Sequence, residues 1–440
     1  MKKVSGFSKM SKEEKINWLA SELSGTDGLL VSSMRLYWHH DNEIQKRFDE
    51  FSENTLSNFD LPFGIAPNFL INNKIYAVPM VIEESSVVAA ASLSAKFWAE
   101  RGGFKAKVLS THKVGQVHFL WEGDPRTILE IFQVTKSDLL KSVEHITQNM
   151  KLRGGGVINL DLIDLSSKLK NYYQLKIIAE TCDAMGANFI NSILEEIGKK
   201  FAQIIKQELQ KTQTQNEIEI IMCILSNYTP QCLVECYVEC PVNDLAGLAD
   251  DMSAEDFARR FVTAVNIANI DPHRAVTHNK GIMNGIDAVV LATGNDFRAI
   301  EACAHAYAGR NGLYQSLSEA SVENGVFKFS IKLPLAVGTV GGLTNLHPMA
   351  KTSLAILGHP SAQELMQVMA ATGLAQNFGA LKSLVTTGIQ KGHMKLHLLN
   401  ILNQLNATNG QIESAKDYFK NKVVSYSAVR DFIKKYAKES

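Results

Sequence analysis

The sequence predicts an α+β fold for a soluble enzyme with more than one domain. The first observation is that β-branched, alternating segments lie between long amphipathic segments, as strands and helices do in mixed folds. The second is composition, because 45% of the 440 residues are hydrophobic and 20% are charged, which is typical of globular proteins. The third is length, which indicates two or three domains.

The elements of the first half follow from local patterns. Ser11 followed by Glu14 fits a capping box that opens an amphipathic helix. A strand-and-loop region is expected around residues 65–82. Alternating and periodic segments then predict a strand over 108–120, a helix over 124–151, strands over 154–165 and 173–181, a helix over 184–210 and a strand over 217–226. Residues 111–225 are therefore expected to form one compact unit.

The second half is predicted to be mainly helical, with glycine-rich turns over 244–388 and a lysine-rich helical piece from 389 onward. One strand is expected at CLVECYVEC, because these residues are β-branched and alternate. At about 3.3 Å per residue, Cys232, Cys236 and Cys240 would lie roughly 13 Å apart along it, too far to hold one ion. Packed, reduced thiols are expected there instead.

Charge and hydropathy exclude several classes of protein. Lysine plus arginine equals aspartate plus glutamate at 45 each, so a nucleic-acid partner is not expected. The N-terminus has no apolar core after its lysines, as a secretory signal would. No apolar run reaches the roughly 18 to 20 residues that span a bilayer. A cytoplasmic location without membrane contact is therefore expected.

Charged residues in apolar or glycine-rich settings are the candidates for chemistry. Glu83 and Glu84 interrupt the run VPMVIEESSVVAAAS. A carboxyl group among apolar neighbours favours its protonated form and suits a general acid, whereas a glutamate at a helix start would only favour the helix dipole. Lys280, beside Gly281 and with Asp296 on a nearby loop, could polarise a carbonyl oxygen. The alternative for Lys280 is a lysine on a surface loop.

Two histidines lie four residues apart, at His393 and His397, and would share a helix face. The metalloprotease pattern needs a glutamate directly after the first histidine, and Met394 stands there, so no metal is expected. His393 is the better candidate for a proton donor, because imidazole titrates near neutrality. His397 is expected to serve packing or hydrogen bonding.

The segment DAMGAN, residues 183–188, precedes the long predicted helix. Asp183 could be its N-cap, and the free amides with Gly186 would offer an anion site for a pyrophosphate. An ordinary capped helix start is the alternative. Because no G-x-G-x-x-G follows a strand pattern, a Rossmann domain is not predicted.

Together and in order, these motifs resemble those of hydroxymethylglutaryl-CoA reductases, over nearly the whole chain. Seven segments carry the resemblance: ENTLSNFDLPFGIAPNF, EESSVVAAAS, DAMGAN, THNKGIMNGID, ATGND, GLAQNFGA and GHMKLH. In having DAMGAN and no apolar membrane anchor, the sequence resembles the second class of the family, which is bacterial, soluble and of degradative type.

The resemblance implies a role for each matching residue. Four catalytic positions are matched by Glu84, Lys280, Asp296 and His393. Positions that contact the hydroxymethylglutaryl group are matched by Ser86, Arg274 and Asn284. Positions that contact the cofactor are matched by Asp183, Met185, Gly186, Asn188 and Asn227.

The implied reaction interconverts hydroxymethylglutaryl-CoA with mevalonate and CoA, using two NADH or NADPH and passing through a hemithioacetal and bound mevaldehyde. Lys280 would neutralise the oxyanion, His393 would protonate the CoA thiolate, and Glu84 would protonate the aldehyde oxygen. Asp296 would join Lys280 and Glu84 in one hydrogen-bond network. The physiological direction stays open.

The implied fold has a large domain for CoA-thioester binding and dimerisation, formed by residues 1–110 and 226–388. A ferredoxin-like NAD(P)-binding domain, residues 111–225, is inserted into it, and a small helical C-terminal flap follows at 389–440. Movement of this flap would let the cofactor exchange between hydride transfers. The implied partner is a second copy of the chain, in a homodimer or higher even oligomer with shared active sites.

Two departures from the family's pattern are visible. In GGGVINLDL, Asn159 stands where the second class often has an acid that binds the cofactor ribose, with Asp161 two residues later. Because such an acid favours NADH by repelling a 2′-phosphate, the choice between NADH and NADPH stays open. Ser57 stands where the family's ENVIG-type segment ends in glycine.

Two other functions are compatible with parts of the sequence. One is a catalytically inactive, CoA-binding regulatory relative, which the presence of all four catalytic residues disfavours. The other is a thiolase-like enzyme, which needs a nucleophilic cysteine. Cys303, within EACAHAYA, follows the segment ATGND closely, and its setting is typical of a helix interior.

Overall fold

The computed structural model describes residues 2–23, 27–212, 217–249, 251–386, 388, 398–420, 422 and 424–439. Helices and sheets are mixed along these ranges, which confirms the α+β class. In the part of the chain that is described, no helix combines the length and the apolar character needed to cross a membrane.

The first elements lead into a hairpin that borders the candidate site. Helices α1 (Lys12–Glu22), α2 (Asp27–Leu36) and α3 (Asn42–Asp49) precede strands β1 (Phe63–Ile71) and β2 (Lys74–Val81), and helix α4 (Val87–Ala99) follows. The predicted capping box of Ser11 and Glu14 is confirmed at the start of α1. Asn72 and Asn73 form the two-residue hairpin turn with φ of 49° and 67°, because asparagine tolerates the left-handed region that this turn requires.

The central sheet is antiparallel and has the order β3-β8-β10-β9. Its strands are β3 (Lys105–Val108), β8 (Leu233–Pro241), β9 (Ser318–Glu323) and β10 (Val326–Pro334). Helices α8 (Ala254–Ile270), α9 (Pro272–Ala292), α10 (Phe297–Ala308), α11 (Gly342–Leu346), α12 (Pro348–Ile356) and α13 (Ala362–Val385) accompany it. The predicted strand at CLVECYVEC is confirmed as β8, and Cys232, Cys236 and Cys240 are buried free thiols, as expected.

A second four-stranded antiparallel sheet has the order β5-β6-β4-β7. Its elements are β4 (Lys113–Trp121), α5 (Pro125–Ser142), α6 (Glu144–Lys151), β5 (Gly156–Asp164), β6 (Tyr172–Glu180), α7 (Ala187–Thr212) and β7 (Ile218–Leu225). Counting α5 and α6 as one connection, this is the β-α-β-β-α-β succession of ferredoxin-like units. The odd-numbered residues of β4 and β6 face the helices, as the alternation along a strand requires.

The boundaries differ from the predictions in three places. The strand expected over 108–120 is two strands, β3 and β4, that belong to different sheets. The helix expected over 124–151 breaks at Val143, whose φ of −100° and ψ of 6° leave the helical region. The long helix begins at Ala187 rather than at 184, because the positive φ of Gly186 is incompatible with an earlier helical start.

Among the described residues, three hydrophobic clusters form separate cores. The largest joins the β1–β2 hairpin, the central sheet and the buried helix α13. The second lies between the β5-β6-β4-β7 sheet and α5 and α7. The third is formed by Leu398, Ile401, Leu402, Ala415, Phe419 and Val429, on α14 (398–404), α15 (Asn409–Tyr418) and α16 (Tyr426–Glu439).

Candidate active site

One candidate site is the Glu84 cluster, which consists of Glu84, Lys280 and Asn284. Lys280 Nζ donates to Glu84 Oε2 at 3.0 Å, and Asn284 Nδ2 donates to the same oxygen at 3.2 Å. Lys280 and Asn284 are four residues apart on α9, so one face of the helix presents both. Glu84 reaches them from the turn before α4, where its carbonyl accepts from the backbone N–H of Val87.

The setting of Glu84 differs from the expectation of apolar neighbours. The carboxylate is 37% exposed and lies beside the Lys280 ammonium, which is 63% exposed. Water screens such a pair, so it adds little to stability. The interpretation of Lys280 as a surface-loop residue is wrong, because it lies on a helix. The cluster is therefore an accessible cation and carboxylate that can both meet an incoming polar group.

Helix α9 is fixed in place by close packing on its opposite side. Asp271 accepts from the backbone N–H of His273 and caps the helix, and Pro272 occupies the first helical position. A Cβ at Gly285 would stand 2.7 Å from the carbonyl oxygen of Thr372 on α13, so only glycine allows this approach. The positions of Lys280 and Asn284 thus follow from the α9–α13 contact.

A buried polar network joins the part of α9 that carries Lys280 to neighbouring elements, and the sequence alone does not predict it. His278 Nε2 lies 2.6 Å from Ser318 Oγ, and Ser318 donates to Asn377 Oδ1 at 2.9 Å. Burial, with a smaller effect of Arg274, lowers the pKa of His278 to about 3, so its imidazole is neutral. Asn279 fixes the same region by accepting from Leu317 N at 2.9 Å. No spacing in the sequence connects these residues, which lie on α9, α13 and β9 or just before it.

Ser86 and Arg274 lie on the two elements that carry the Glu84 cluster. Ser86 is the N-cap of α4, yet its hydroxyl makes no capping bond. Arg274 lies in the first turn of α9, and burial lowers the pKa of its guanidinium. Among the described residues, no hydrogen bond joins either of them to Glu84.

The second candidate site is the α7 pocket, a cavity of about 880 Å³ at the start of α7. It is lined by the 184–189 loop, the start of α10 and the turn around 338–344. The carbonyl of Gly186 accepts from Ile190 N, so the N–H groups of the first turn, 187–189, have no partner within the helix. A Cβ at Gly186 would stand 2.4 Å from Thr181 Cγ2, and one at Gly338 would stand 2.4 Å from Met185 N. The residues whose N–H groups have no partner within the helix therefore line the pocket, where these groups could bind an anion.

Asp183 does not cap α7, and that expectation is wrong. Its Oδ1 accepts at 2.7 Å from the backbone N–H of Ala362, the first residue of α13. Its carbonyl accepts from Thr339 N at 2.8 Å. Three residues, 184–186, separate Asp183 from Ala187, the first residue of α7, so Asp183 lies too early in the chain to be the N-cap. Its carboxylate stabilises the start of α13 instead.

Asp296 lies in the α7 pocket and not in the Glu84 cluster. It is the N-cap of α10, and Arg298 Nη2 donates to its Oδ2 at 2.8 Å. Burial raises the pKa of the Asp296 carboxyl, but hydrogen bonds from Arg298 and Ala299 N outweigh burial and hold the pKa below its usual value. Asp296 is therefore an anion in this arrangement.

Within one chain, Lys280 and Asp296 are too far apart to share a network. The axis of α9 from Lys280 to its last residue, Ala292, is about 18 Å long at 1.5 Å per residue. The expected network of Asp296 with Lys280 and Glu84 is therefore not formed by a single copy. The structure gives two half-sites, with Asp296 at the α7 pocket.

The remaining candidates are more scattered. Asn227 is exposed in the turn after β7. Asn159, on β5, accepts from Lys136 Nζ at 3.3 Å and donates to Asp161 Oδ2 at 2.7 Å. Cys303 is buried inside α10, and burial raises its pKa, so it lacks the character of a nucleophile. His393 and His397 lie outside the described residues.

Comparisons with known proteins agree on one family. The sequence model described as hydroxymethylglutaryl-coenzyme A reductase matches residues 13–398. The 3-hydroxy-3-methylglutaryl-coenzyme A reductase of Archaeoglobus fulgidus is 36% identical over 414 residues, which are 93% of this chain and 89% of that protein. The probable reductase of Borreliella burgdorferi is 32% identical over 418 residues, covering 95% and 92%.

Solved structures give the same result. The 3-hydroxy-3-methylglutaryl-coenzyme A reductase of Streptococcus pneumoniae has a TM-score of 0.73 and 34% identity, covering 98% of this chain and 100% of that one. A structure of the class II enzyme from the same organism, described as bound to NADPH in open conformations, has a TM-score of 0.71 and 36% identity, covering 87% and 100%.

Proposed function

The chain belongs to the hydroxymethylglutaryl-coenzyme A reductase family, and from that premise we propose how its two half-sites divide the reaction. It is an NAD(P)H-dependent oxidoreductase of the second, bacterial class. The observation that carries the proposal is the contact of Lys280 and Asn284 with one oxygen of Glu84. The alternative, that the chain is a catalytically inactive CoA-binding relative, is not supported by these matches.

The α7 pocket is proposed to hold the cofactor. Its fit rests on the exposed first-turn amides of α7 and on a glycine whose missing Cβ leaves the loop close to Thr181. Gly186, Asn188 and the backbone of Met185 would contact the diphosphate region, and Asn227 the nicotinamide half. When bound, the reduced nicotinamide supplies the hydride for each of the two reductions. NADPH is the proposed first choice, because Asn159 carries no charge to repel a 2′-phosphate.

The Glu84 cluster is proposed to act on the substrate's carbonyl oxygen. Lys280, as a cation open to solvent, would stabilise the oxyanion that forms when the thioester carbonyl is reduced. Asn284 holds Glu84 Oε2, so the carboxyl group is oriented before the substrate arrives. After thiolate loss, Glu84 in its protonated form would deliver its proton to the aldehyde oxygen as the hydride adds to the carbonyl carbon, and would return to the carboxylate. Ser86 and Arg274, at the starts of α4 and α9, are proposed to hold the hydroxymethylglutaryl group.

His393 is proposed to protonate the departing CoA thiolate. A free thiol has a pKa near 8.5, so an imidazolium of ordinary acidity can supply this proton. The role rests on its place in GHMKLH, which begins in the sequence seven residues after the end of α13, the helix that packs on α9.

A dimer is proposed because each half-site lacks what the other holds. Asp296 follows the C-terminal end of α9, and the twelve residues from Lys280 to Ala292 span about 18 Å along the helix axis in the same chain. Asp296 of a second copy would reach the Glu84 cluster if the α7 pocket of that copy faced it. Residues 1–110 and 226–388 are then the proposed substrate-binding and dimerisation domain, 111–225 the cofactor domain and 389–440 a flap. A cytoplasmic location is proposed on the six free cysteines, which fit a reducing compartment.

The test is the loss of reduced-nicotinamide absorbance with purified protein and hydroxymethylglutaryl-CoA, run separately with NADPH and NADH. We expect two cofactors to be oxidised per thioester, with mevalonate and CoA as products. Protein with Lys280→Ala, run in parallel, should oxidise neither cofactor at a measurable rate. No oxidation by folded wild-type protein with either cofactor would overturn the proposal.

A further inference from the structure

Lys113, at the start of β4, is a buried cation that the reaction described so far does not use. The residue is 2% exposed, although lysine is rarely buried without an opposite charge. Its Nζ donates to Thr181 Oγ1 at 2.6 Å and to the carbonyl oxygen of Ala184 at 3.3 Å, and both acceptors are neutral. Within the described residues, no carboxylate oxygen lies within 4.0 Å of this ammonium.

The two acceptors of Lys113 belong to the loop that precedes α7 and borders the α7 pocket. Thr181 Oγ1 also donates to Ala184 O at 2.6 Å, so the ammonium, the hydroxyl and the carbonyl make one small network. The methyl group of Thr181 lies against Gly186, where an added Cβ would meet it at 2.4 Å. Lys113 thus fixes the loop that leads into α7, and the first residues of α7 line the pocket.

The nearby carboxylates are already held by other donors. Glu180 accepts from the hydroxyl of Thr111 and, at 2.7 Å, from the backbone N–H of Cys182. Asp183 accepts from Ala362 N. Lys113 also lies near the N-terminal end of α7, where the helix dipole is positive. The ammonium and the positive end of the helix dipole repel each other, and an anion bound near both would offset this repulsion.

We propose that Lys113 is a positioning residue of the cofactor site, which fixes the 181–186 loop and supplies the charge that favours the cofactor's diphosphate. This inference rests on the proposed place of the cofactor in the α7 pocket. Lys113 acts through Thr181 and Ala184 and does not touch the reacting atoms. Its charge stabilises the bound cofactor equally before and during hydride transfer, so it should change cofactor affinity and leave kcat nearly unchanged.

The test compares Lys113→Met, which keeps most of the length of the side chain but removes its charge, with Lys141→Met. Lys141 is an exposed lysine of α5 in the same unit and is the matched control. NADPH binding is measured by fluorescence titration, and KM for each substrate and kcat by absorbance. For Lys113→Met we expect the Kd and KM for NADPH to rise about tenfold, with kcat and the KM for hydroxymethylglutaryl-CoA within about twofold of wild type. Lys113→Arg, which keeps the charge, should recover most of the NADPH affinity.

Two results would overturn the inference: an unchanged NADPH affinity in Lys113→Met, or equal damage to both KM values and kcat, which indicates a general structural role. If Lys113→Met does not fold, the Kd of Thr181→Val for NADPH tests the inference instead. This substitution removes the hydroxyl between the ammonium and the loop, so the Kd for NADPH should rise about threefold, and no change would overturn the inference.

The same titration separates this inference from the proposed function. Asn188→Asp puts a carboxylate in the first turn of α7 and should weaken NADPH binding wherever the diphosphate contacts this turn. If Asn188→Asp binds NADPH as wild type does, the proposed cofactor site is wrong. If Asn188→Asp is weakened and Lys113→Met is not, only the role of Lys113 fails.

Discussion

The Glu84 cluster and the α7 pocket are built in opposite ways. The cluster consists of long side chains on packed elements, already hydrogen-bonded to each other before any ligand binds. The α7 pocket is shaped by backbone, with a glycine at positive φ and the exposed amides of a helix start. Side chains can be replaced one at a time with local consequences, whereas a backbone-built pocket depends on the whole loop. Mutations should therefore separate catalysis in the first region from binding in the second.

The largest effect is expected for Lys280→Ala. Without the cation, the oxyanion has no opposite charge, and kcat should fall by at least about a thousandfold, while the Kd for NADPH stays near the wild-type value. Turnover and fluorescence titration measure the two quantities. Lys96→Ala, at an exposed lysine of α4, is the control and should behave as wild type. Near-full turnover in Lys280→Ala would contradict the role assigned to the cluster.

Asp296→Asn should lower kcat by about a hundredfold or more if Asp296 of one copy completes the cluster of another. This prediction also tests the oligomer. When Lys280→Ala and Asp296→Asn chains are mixed under exchange, half of the dimers should be mixed, and each mixed dimer holds one intact site. The mixture should then regain about a quarter of wild-type turnover. Turnover no higher than that of the separate variants would show that both residues act within one chain.

The sequence predicted local features better than long-range ones, for physical reasons. The strand expected over 173–181 matches β6 within a residue, because alternation is visible in the strand itself. The break at Val143 has no glycine or proline to mark it. The role of Asp183 was mistaken because its partner, Ala362, is 179 residues away. The contact of Lys280 with Glu84 spans 196 residues, and only the resemblance to a family predicted it.

Gly186→Ala tests the backbone-built pocket. The substitution puts a Cβ into a residue with φ of 90° and 2.4 Å from Thr181, so the loop must shift. We expect the Kd for NADPH to rise about tenfold and the free energy of unfolding to fall by about 1–2 kcal/mol. Gly28→Ala, on α2 with open space around it, is the control: it should leave the Kd for NADPH unchanged and should not lower the free energy of unfolding. An unaltered NADPH affinity in Gly186→Ala would remove the loop from the cofactor site.

The smallest effect is expected for Asn159→Asp. A carboxylate at this position would repel a 2′-phosphate and accept a hydrogen bond from a 2′-hydroxyl, so the ratio of kcat/KM for NADPH to that for NADH should fall about fivefold to tenfold. Lys136 lies 3.3 Å from Asn159 Oδ1 and would partly neutralise the new charge, which limits the change. Asp138→Asn, on the exposed side of α5, is the control. A ratio that does not move would place the ribose elsewhere.

The three separate hydrophobic cores have a consequence for how the protein opens. Among the described residues, the C-terminal core contains six buried hydrophobic residues, whereas each of the two other cores contains at least three times as many. A small core gives a region a low free energy of local unfolding. The amide hydrogens of helices α14–α16 should therefore exchange faster, through local opening, than those of α9 or α13. The segment that carries His393 is tethered to this weakly closed region on one side and to the rigid α13 on the other. The residue proposed to protonate the departing CoA thiolate is thus attached, along the chain, to a region that only a small core stabilises.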